Sequence, residues 1–248
     1  MNLLATMNID KSNVITVFRR EFSNYFNTPI GYIFLGIFVL LLNFLVFYFA
    51  HFFDRGASLM FLFEMIRLVY LVFIPVTTMR LWAEERRSGT VELILTLPFS
   101  DLELILGKYF SAVAFLGIAL LTTIFIPFIA FIASTPDVAV LIGSYLGAWL
   151  AGSAYIAMGL YISWLTRDQI TAFLISFLAC FFVFLLAYQP LLQFFGPFKE
   201  LLGFLSVTWH YESIARGLLD TRDIFYFITF SMLFLYLNKV SIEKFRRG

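Results

Sequence analysis

The sequence predicts an all-α membrane protein with six spanning helices, on three observations. The 248 residues are 61% hydrophobic and only 13% charged, whereas soluble domains run near half apolar and about a quarter charged. Apolar stretches of about the length that crosses a bilayer recur along the chain. Lys and Arg divide unevenly between alternate connecting segments, the bias that orients membrane proteins. A soluble fold of this length still exposes a large area to water and could not hide so much apolar side chain.

An N-terminal helix over about 10–28 comes first. Val14, Val17, Phe18, Phe22, Tyr25 and Phe26 recur at helical spacing among Lys11, Arg19, Arg20 and Glu21. That pattern suits a helix lying in the interface, or one packed against protein. Pro29 separates it from the first span, about 30–53, in which Asn43 is a lone polar side chain that predicts a hydrogen bond to a neighbouring helix.

The second span, about 61–82, has to include Glu64 and Arg67, because the stretch between Arg67 and Arg80 is too short to cross alone. Three apart on one helical face, the two can pair, either lining a path or forming an ion pair at the outer surface. The third span covers about 104–135 and the fourth about 138–166. In the fourth, Gly143, Gly147, Ala151 and Gly152 make a small-residue face for packing against another helix of the same chain. The fifth covers about 169–189, with Cys180 as a small packing residue. The last covers about 222–239 and is short for a bilayer. Before it, 190–221 is partly apolar and broken by Gly196, Pro197, Gly203 and Gly217. It predicts short helices at the outer interface or a re-entrant piece.

With the N-terminus inside, the inner segments hold Lys11, Arg19, Arg20, Arg80, Arg86, Arg87, Lys108, Arg167, Lys239, Lys244, Arg246 and Arg247. The outer segments hold Arg55, Arg67, Lys199, Arg216 and Arg222. This is twelve of the 17 basic residues against five, and it places both termini in the cytoplasm. The first thirty residues, broken by Asp10, Lys11, Arg19, Arg20 and Glu21, do not read as a secretory signal.

A net charge of +1 without a long basic run argues against nucleic acid. One Cys and two His are too few for a structural zinc site. No Gly-x-x-x-x-Gly-Lys-Ser/Thr phosphate cradle occurs. His210 with Glu212 has no nucleophile at a recognisable elbow and reads as an interfacial anchor.

The segment 84–98 is the most distinctive. Glu84, Glu85, Arg86 and Arg87 form a compact charge cluster. Ser88-Gly89-Thr90 reads as a turn leading to a helix N-cap, and Glu92 falls in the first turn, where the helix dipole favours an anion. Pro98 stops that short helix, and Ser100-Asp101-Leu102-Glu103 is a capping box opening the next span. A hinge, a short transverse helix and a stiff stop suit transmission of force from a cytoplasmic partner. An ordinary cytoplasmic loop with good caps has the same features.

The run from Glu84 to Leu93, then Leu97-Pro98 and Leu106-Gly107-Lys108, resembles the signature of ABC-2 type transporter permeases. Thr28-Pro29-Ile30-Gly31-Tyr32, the run His210 to Gly217, Asp220-Thr221-Arg222-Asp223 and Phe225-Tyr226-Phe227 are similar to the gliding-motility-associated type of that family. The resemblance covers nearly the whole chain. It implies six spans, a dimer with an identical or paired permease chain, and a separate cytoplasmic ABC ATPase docked on a coupling helix. ATP and Mg would belong to that partner, with no cofactor in this chain, which would be a permease and not an enzyme. The implied setting is a bacterial cytoplasmic membrane, the cargo amphiphilic, lipid-like, glycan or peptide, and an extracytoplasmic accessory protein is a further partner the family allows. The resemblance assigns ATPase docking to Glu84, Glu85, Arg86, Arg87, Gly89, Thr90 and Glu92, and an outer motif to His210, Glu212, Arg216 and Gly217. By the same analogy, the dimer seam uses spans one and five.

An ion-coupled secondary transporter is the first alternative, but that class shows midplane ionisable groups and repeated halves, and neither is evident. A membrane-embedded enzyme lacks an acid–base or metal constellation. A complex that remodels a membrane mechanically, moving no soluble substrate, fits the same residues.

Overall fold

The structure is a computed structural model that describes residues 10–49, 59–133, 137–188, 193, 196, 199–215 and 220–247. Among the described residues the chain is almost wholly helical and contains no strand. Helix α1 is Lys11–Asn27, α2 Pro29–Phe44, α3 Leu59–Thr78, α4 Arg80–Ser88, α5 Thr90–Thr96 and α6 Asp101–Leu121. Then follow α7 Phe125–Ala133, α8 Val138–Leu165, α9 Gln169–Leu185, α10 Lys199–Phe204, α11 Val207–Ala215 and α12 Thr221–Arg247. Among the described residues, five helical stretches are long and apolar enough to cross a membrane, and α9, at 17 residues, is a shorter apolar sixth.

α8 is the central post. It packs against α3, α6, α9, α11 and α12, and most of its second half is buried. Its small residues explain the close approach. A Cβ on Gly152 would lie 2.3 Å from Leu116 Cδ2, and one on Gly159 2.3 Å from Thr78 Oγ1. Gly147 meets Ile214 and Tyr211 of the same chain. The small-residue face thus packs within the subunit, as its spacing predicts.

α1 binds to protein through Val17, Glu21 and Tyr25, one residue per turn, while Ile15 on another face is exposed. Gly107 of α6 makes this contact possible, since a Cβ there would lie 2.5 Å from Val17. The helix opening signals are also realised. Ser100 and Glu103 form the capping box at the start of α6. Glu103 additionally accepts from Asp10 N at 2.7 Å and Asn13 Nδ2 at 3.2 Å, tying the starts of α1 and α6 together.

Several expectations are corrected. The first span turns π-helical over Leu45–Phe49, and its expected end at 50–53 lies outside the described residues. The third is broken at Thr122–Ile124 into α6 and α7. Pro127 has no N–H, and its ring crowds the carbonyl four residues back, that of Thr123. The last helix is 27 residues long, well beyond the expected end near 239. Its charged tail stays helical because Lys239 and Arg247 pair with Glu243 on one face. Arg67 pairs with Glu212 at 2.7 Å, not with Glu64. α11 brings Glu212 alongside α3, a long-range pairing that local spacing cannot reveal. Asn43 donates to Val39 O of its own helix, at 2.7 Å, and not to a neighbour.

The segment before the last span is more than an interfacial loop. α11 runs back along α8: Ile214 lies on Gly143 and Gly147, and Ser144 Oγ donates to Ala215 O at 3.3 Å. Val207, Thr208, His210, Tyr211 and Ile214 are buried, so α11 packs into the bundle.

Candidate functional site

The charged connection between α3 and α6 folds as two short helices joined at Gly89, followed by a stop. α4 follows α3 after a single turn residue, Met79, and the first N–H groups of a helix need partners from outside it. Ser163 of α8 takes that role. Its Oγ accepts from Trp82 N and Ala83 N, each at 3.1 Å, and donates to Met79 O at 3.0 Å. Trp82 is fully buried, edge-on to Trp164 at 5.1 Å.

α4 ends at Gly89, whose φ of 73° and ψ of 5° are left-handed, a conformation that costs any residue with a Cβ. α5 then begins directly. Thr90 is its first residue and not its N-cap: no side-chain cap bond forms, and the Thr90 hydroxyl instead lies 2.9 Å from Ser88 Oγ and 3.4 Å from Glu85 O. The expected capping role of Thr90 is therefore corrected: Gly89, already left-handed, serves both helices. α5 buries Val91, Ile94 and Leu95. Its other face presents Glu92 and Leu93 outward, Leu93 at 68% exposure. Leu97 turns the chain into an extended conformation ahead of Pro98.

Beneath α4 lies a charge cluster centred on Lys108, which is 0% exposed. Its ammonium donates to Leu81 O at 2.7 Å, Glu85 Oε1 at 2.8 Å and Glu21 Oε1 at 3.1 Å, and stands 4.6 Å from the Trp82 ring centre. Arg20 closes the group from outside, 2.5 Å from Glu21 and 3.3 Å from Glu85. Two carboxylates and two cations thus neutralise one another across α1, α4 and α6, as burial of charge demands. Burial works against ionisation of Glu21, but the Lys108 ammonium and Arg20 outweigh it and hold its carboxyl below the ordinary value. Above the cluster opens a cleft of about 390 Å³ lined by Glu21, Tyr25, Arg80, Glu84, Glu85 and Thr90, among others.

The predicted docking residues therefore separate. Glu84, Arg87, Gly89, Thr90 and Glu92 are exposed. Glu84 pairs with Arg80 at 3.3 Å, and Arg87 with Asp168 at 3.6 Å. Glu85 is turned inward to Lys108, so its carboxylate is committed within the chain. Arg86 donates to Trp164 O and lies over the Trp164 and Phe245 rings at 5.0 and 5.4 Å. Both hold α4 in place and do not offer free charge. On the far side of the bundle, His210 is buried against Asp223 at 2.7 Å and Glu212 reaches Arg67, which replaces the interfacial anchor expected of His210. Arg216 and Gly217 lie outside the described residues.

In the sequence Lys108 figures only among the inner basic residues and in the run Leu106-Gly107-Lys108, and Glu21 only among the charges of the N-terminal helix, with no pairing expected of either. Both carried a signal. Lys108 is the one charged residue of α6 beyond its first turn, set in an apolar run where an ionisable group is functional by default. Glu21 lies on the same face as Val17 and Tyr25, one turn from each.

No curated protein sequence matches the chain. The sequence profile described as ABC-2 family transporter protein matches residues 36–238, which include α4, α5, Lys108 and α11. A match over most of the length, on a bundle of membrane-spanning helices with this bent and buried connection, shows that the chain belongs to the ABC-2 transporter family.

Proposed function

We propose that the chain is the permease subunit of an ATP-driven exporter, with α4 and α5 as the coupling element for a separate ATPase. One observation carries this reading. A left-handed glycine at the tip of a helix pair leaves Glu84, Arg87, Thr90, Glu92 and Leu93 on the outer face, while buried charge and tryptophan fix the base. A partner pushing on the tip meets a rigid body and not a loop. The exposed charges give orientation and salt-sensitive docking, and Leu93 supplies an apolar knob of the kind that anchors interfaces.

In this reading α4 and α5 face the cytoplasm of a bacterial cell, both termini lie on that side, and a second permease chain, identical or paired, completes the complex. ATP and Mg bind in the partner ATPase. The cargo passes between permease chains and is amphiphilic, in keeping with walls of aromatic and aliphatic side chains. The finer likeness to the gliding-motility-associated type belongs to this proposal, and so do the dimer seam on α2 and α9 and any extracytoplasmic accessory protein.

The test is co-purification in mild detergent with the tagged cognate ATPase, comparing the native chain with Leu93→Asp and Gly89→Pro. Retention by the native chain and loss in both variants is the expected result. If no ATPase is retained in any condition while the chain supports uptake driven by an ion gradient, the secondary-transporter reading replaces this one.

A further inference from the structure

We propose that α12 is the mechanical link between the coupling element and α11, with Arg246 and Asp223 as the positioning residues at its two ends. The proposal rests on the coupling reading of α4 and α5 above.

At the lower end, both coupling helices grip the last turn of α12. Arg246 Nη2 donates to Leu95 O at 3.0 Å, one of the final carbonyls of α5, and pairs with Asp101 at 2.9 Å. Phe245 lies edge-on to Trp164 at 5.6 Å, and the guanidinium of Arg86, from α4, sits over both rings. Any tilt of α4 or α5 therefore pulls on α12.

At the upper end, α12 holds α11 and the turn before it by three contacts. His210 Nδ1 meets Asp223 Oδ1 at 2.7 Å. The Tyr226 ring stacks on the His210 ring with centres 3.9 Å apart. The Tyr226 hydroxyl donates to Leu205 O at 2.6 Å, in the turn before α11. His210 is further fixed by Nε2 donating to Phe204 O at 2.9 Å; a carbonyl only accepts, so that nitrogen carries the hydrogen. Asp223 lies in the first turn of α12, where the helix dipole favours its negative charge.

Between these ends α12 contains neither Gly nor Pro and runs as 27 uninterrupted helical residues, a rod of about 40 Å. α11 has two further supports: α8, where it lies on Gly143 and Gly147 and Ser144 Oγ donates to Ala215 O at 3.3 Å, and α3, where Arg67 pairs with Glu212 at 2.7 Å and the Tyr211 hydroxyl donates to Phe63 O at 3.2 Å. The contacts of α12 add a direct path from the end of α5 to the start of α11. A displacement of the coupling element is delivered along that path to the start of α11.

The test uses the full complex with its ATPase in nanodiscs, in a Cys180→Ala background carrying Ser213→Cys on α11 as the reporter. Maleimide labelling of that thiol is measured without nucleotide and with ATP trapped by a hydrolysis-deficient ATPase. The expected change in labelling rate is about fivefold or more, the usual size of a coupling between distant sites. Arg246→Ala and Asp223→Asn should each abolish that change while the ATPase still co-purifies, and Arg246→Lys should restore it in part. A nucleotide-dependent change that survives Arg246→Ala, or no change in the native complex despite a bound ATPase, overturns the link through α12. Failure of the ATPase to bind the native chain would instead remove the coupling reading, and the proposal with it.

Discussion

Lys108→Met is the substitution whose cost is best defined by the structure. The native ammonium has no solvent exposure and serves Leu81 O, Glu21 and Glu85 at 2.7–3.1 Å. Methionine fills the space but leaves two carboxylates facing each other, with Arg20 alone to offset them. Removing one partner of a buried ion pair costs about 3–5 kcal/mol. For a chain of this size each kcal/mol lowers the melting temperature by roughly 2–4 °C, so the expected fall is about 6–20 °C. The protein carries its own reporter, since Cys180 is its one cysteine and is buried. A thiol-reactive fluorogenic dye in detergent would read its exposure on heating. The triple variant Glu21→Gln, Glu85→Gln, Lys108→Met removes every charge at the centre together and should recover most of the loss, because replacing both sides of a buried pair is often near neutral. The reasoning is refuted if Lys108→Met melts with the native chain, or if the triple variant is no better than the single.

Three further outcomes follow from the same geometry. Glu21 has a depressed carboxyl pKa, so its contribution is present above the ordinary glutamate value and is lost as pH falls through the folded value; Glu21→Gln should flatten the acid limb of a stability-versus-pH curve measured with the same dye. Gly89→Ala should cost about 1–2 kcal/mol by left-handed strain alone, since no atom lies within 4 Å of the added Cβ; Gly89→Asn should cost less, and the two are ranked by melting temperature. Gly107→Leu forces Val17 away from α6, so overpacking of about 1–3 kcal/mol should appear as faster proteolytic cleavage of α1 in otherwise folded protein.

What could be read from the sequence were the features set by local chemistry. The capping box at Ser100 and Glu103, the stop before Pro98, the turn at Gly89 and the small-residue face of α8 each depend on residues within a turn or two of one another, and each forms. What could not be read were pairings made across helices. Arg67 has Glu64 one turn away, yet tertiary packing brings it to Glu212, 145 positions on. Glu85 belongs to an exposed-looking charge run, and only the approach of α1 and α6 turns it inward to Lys108. Hydropathy ends where Asn238 and Lys239 begin, whereas α12 persists through charged residues that pair with Glu243 and Asp101. The seating of α11 on the bundle likewise depends on glycines of α8 some 70 positions earlier in the chain.

The central claim is that the tip formed by Gly89 and the outer face of α5 is where an ATPase docks. The most direct measurement is photo-crosslinking in native membranes from a benzoylphenylalanine placed at Leu93, with a second probe at Phe225 of α12, which is exposed on the far side of the bundle. A nucleotide-binding chain captured from Leu93 and not from Phe225 is the predicted result. Capture of no such chain from Leu93, while the protein remains folded and active in its membrane, would contradict the account.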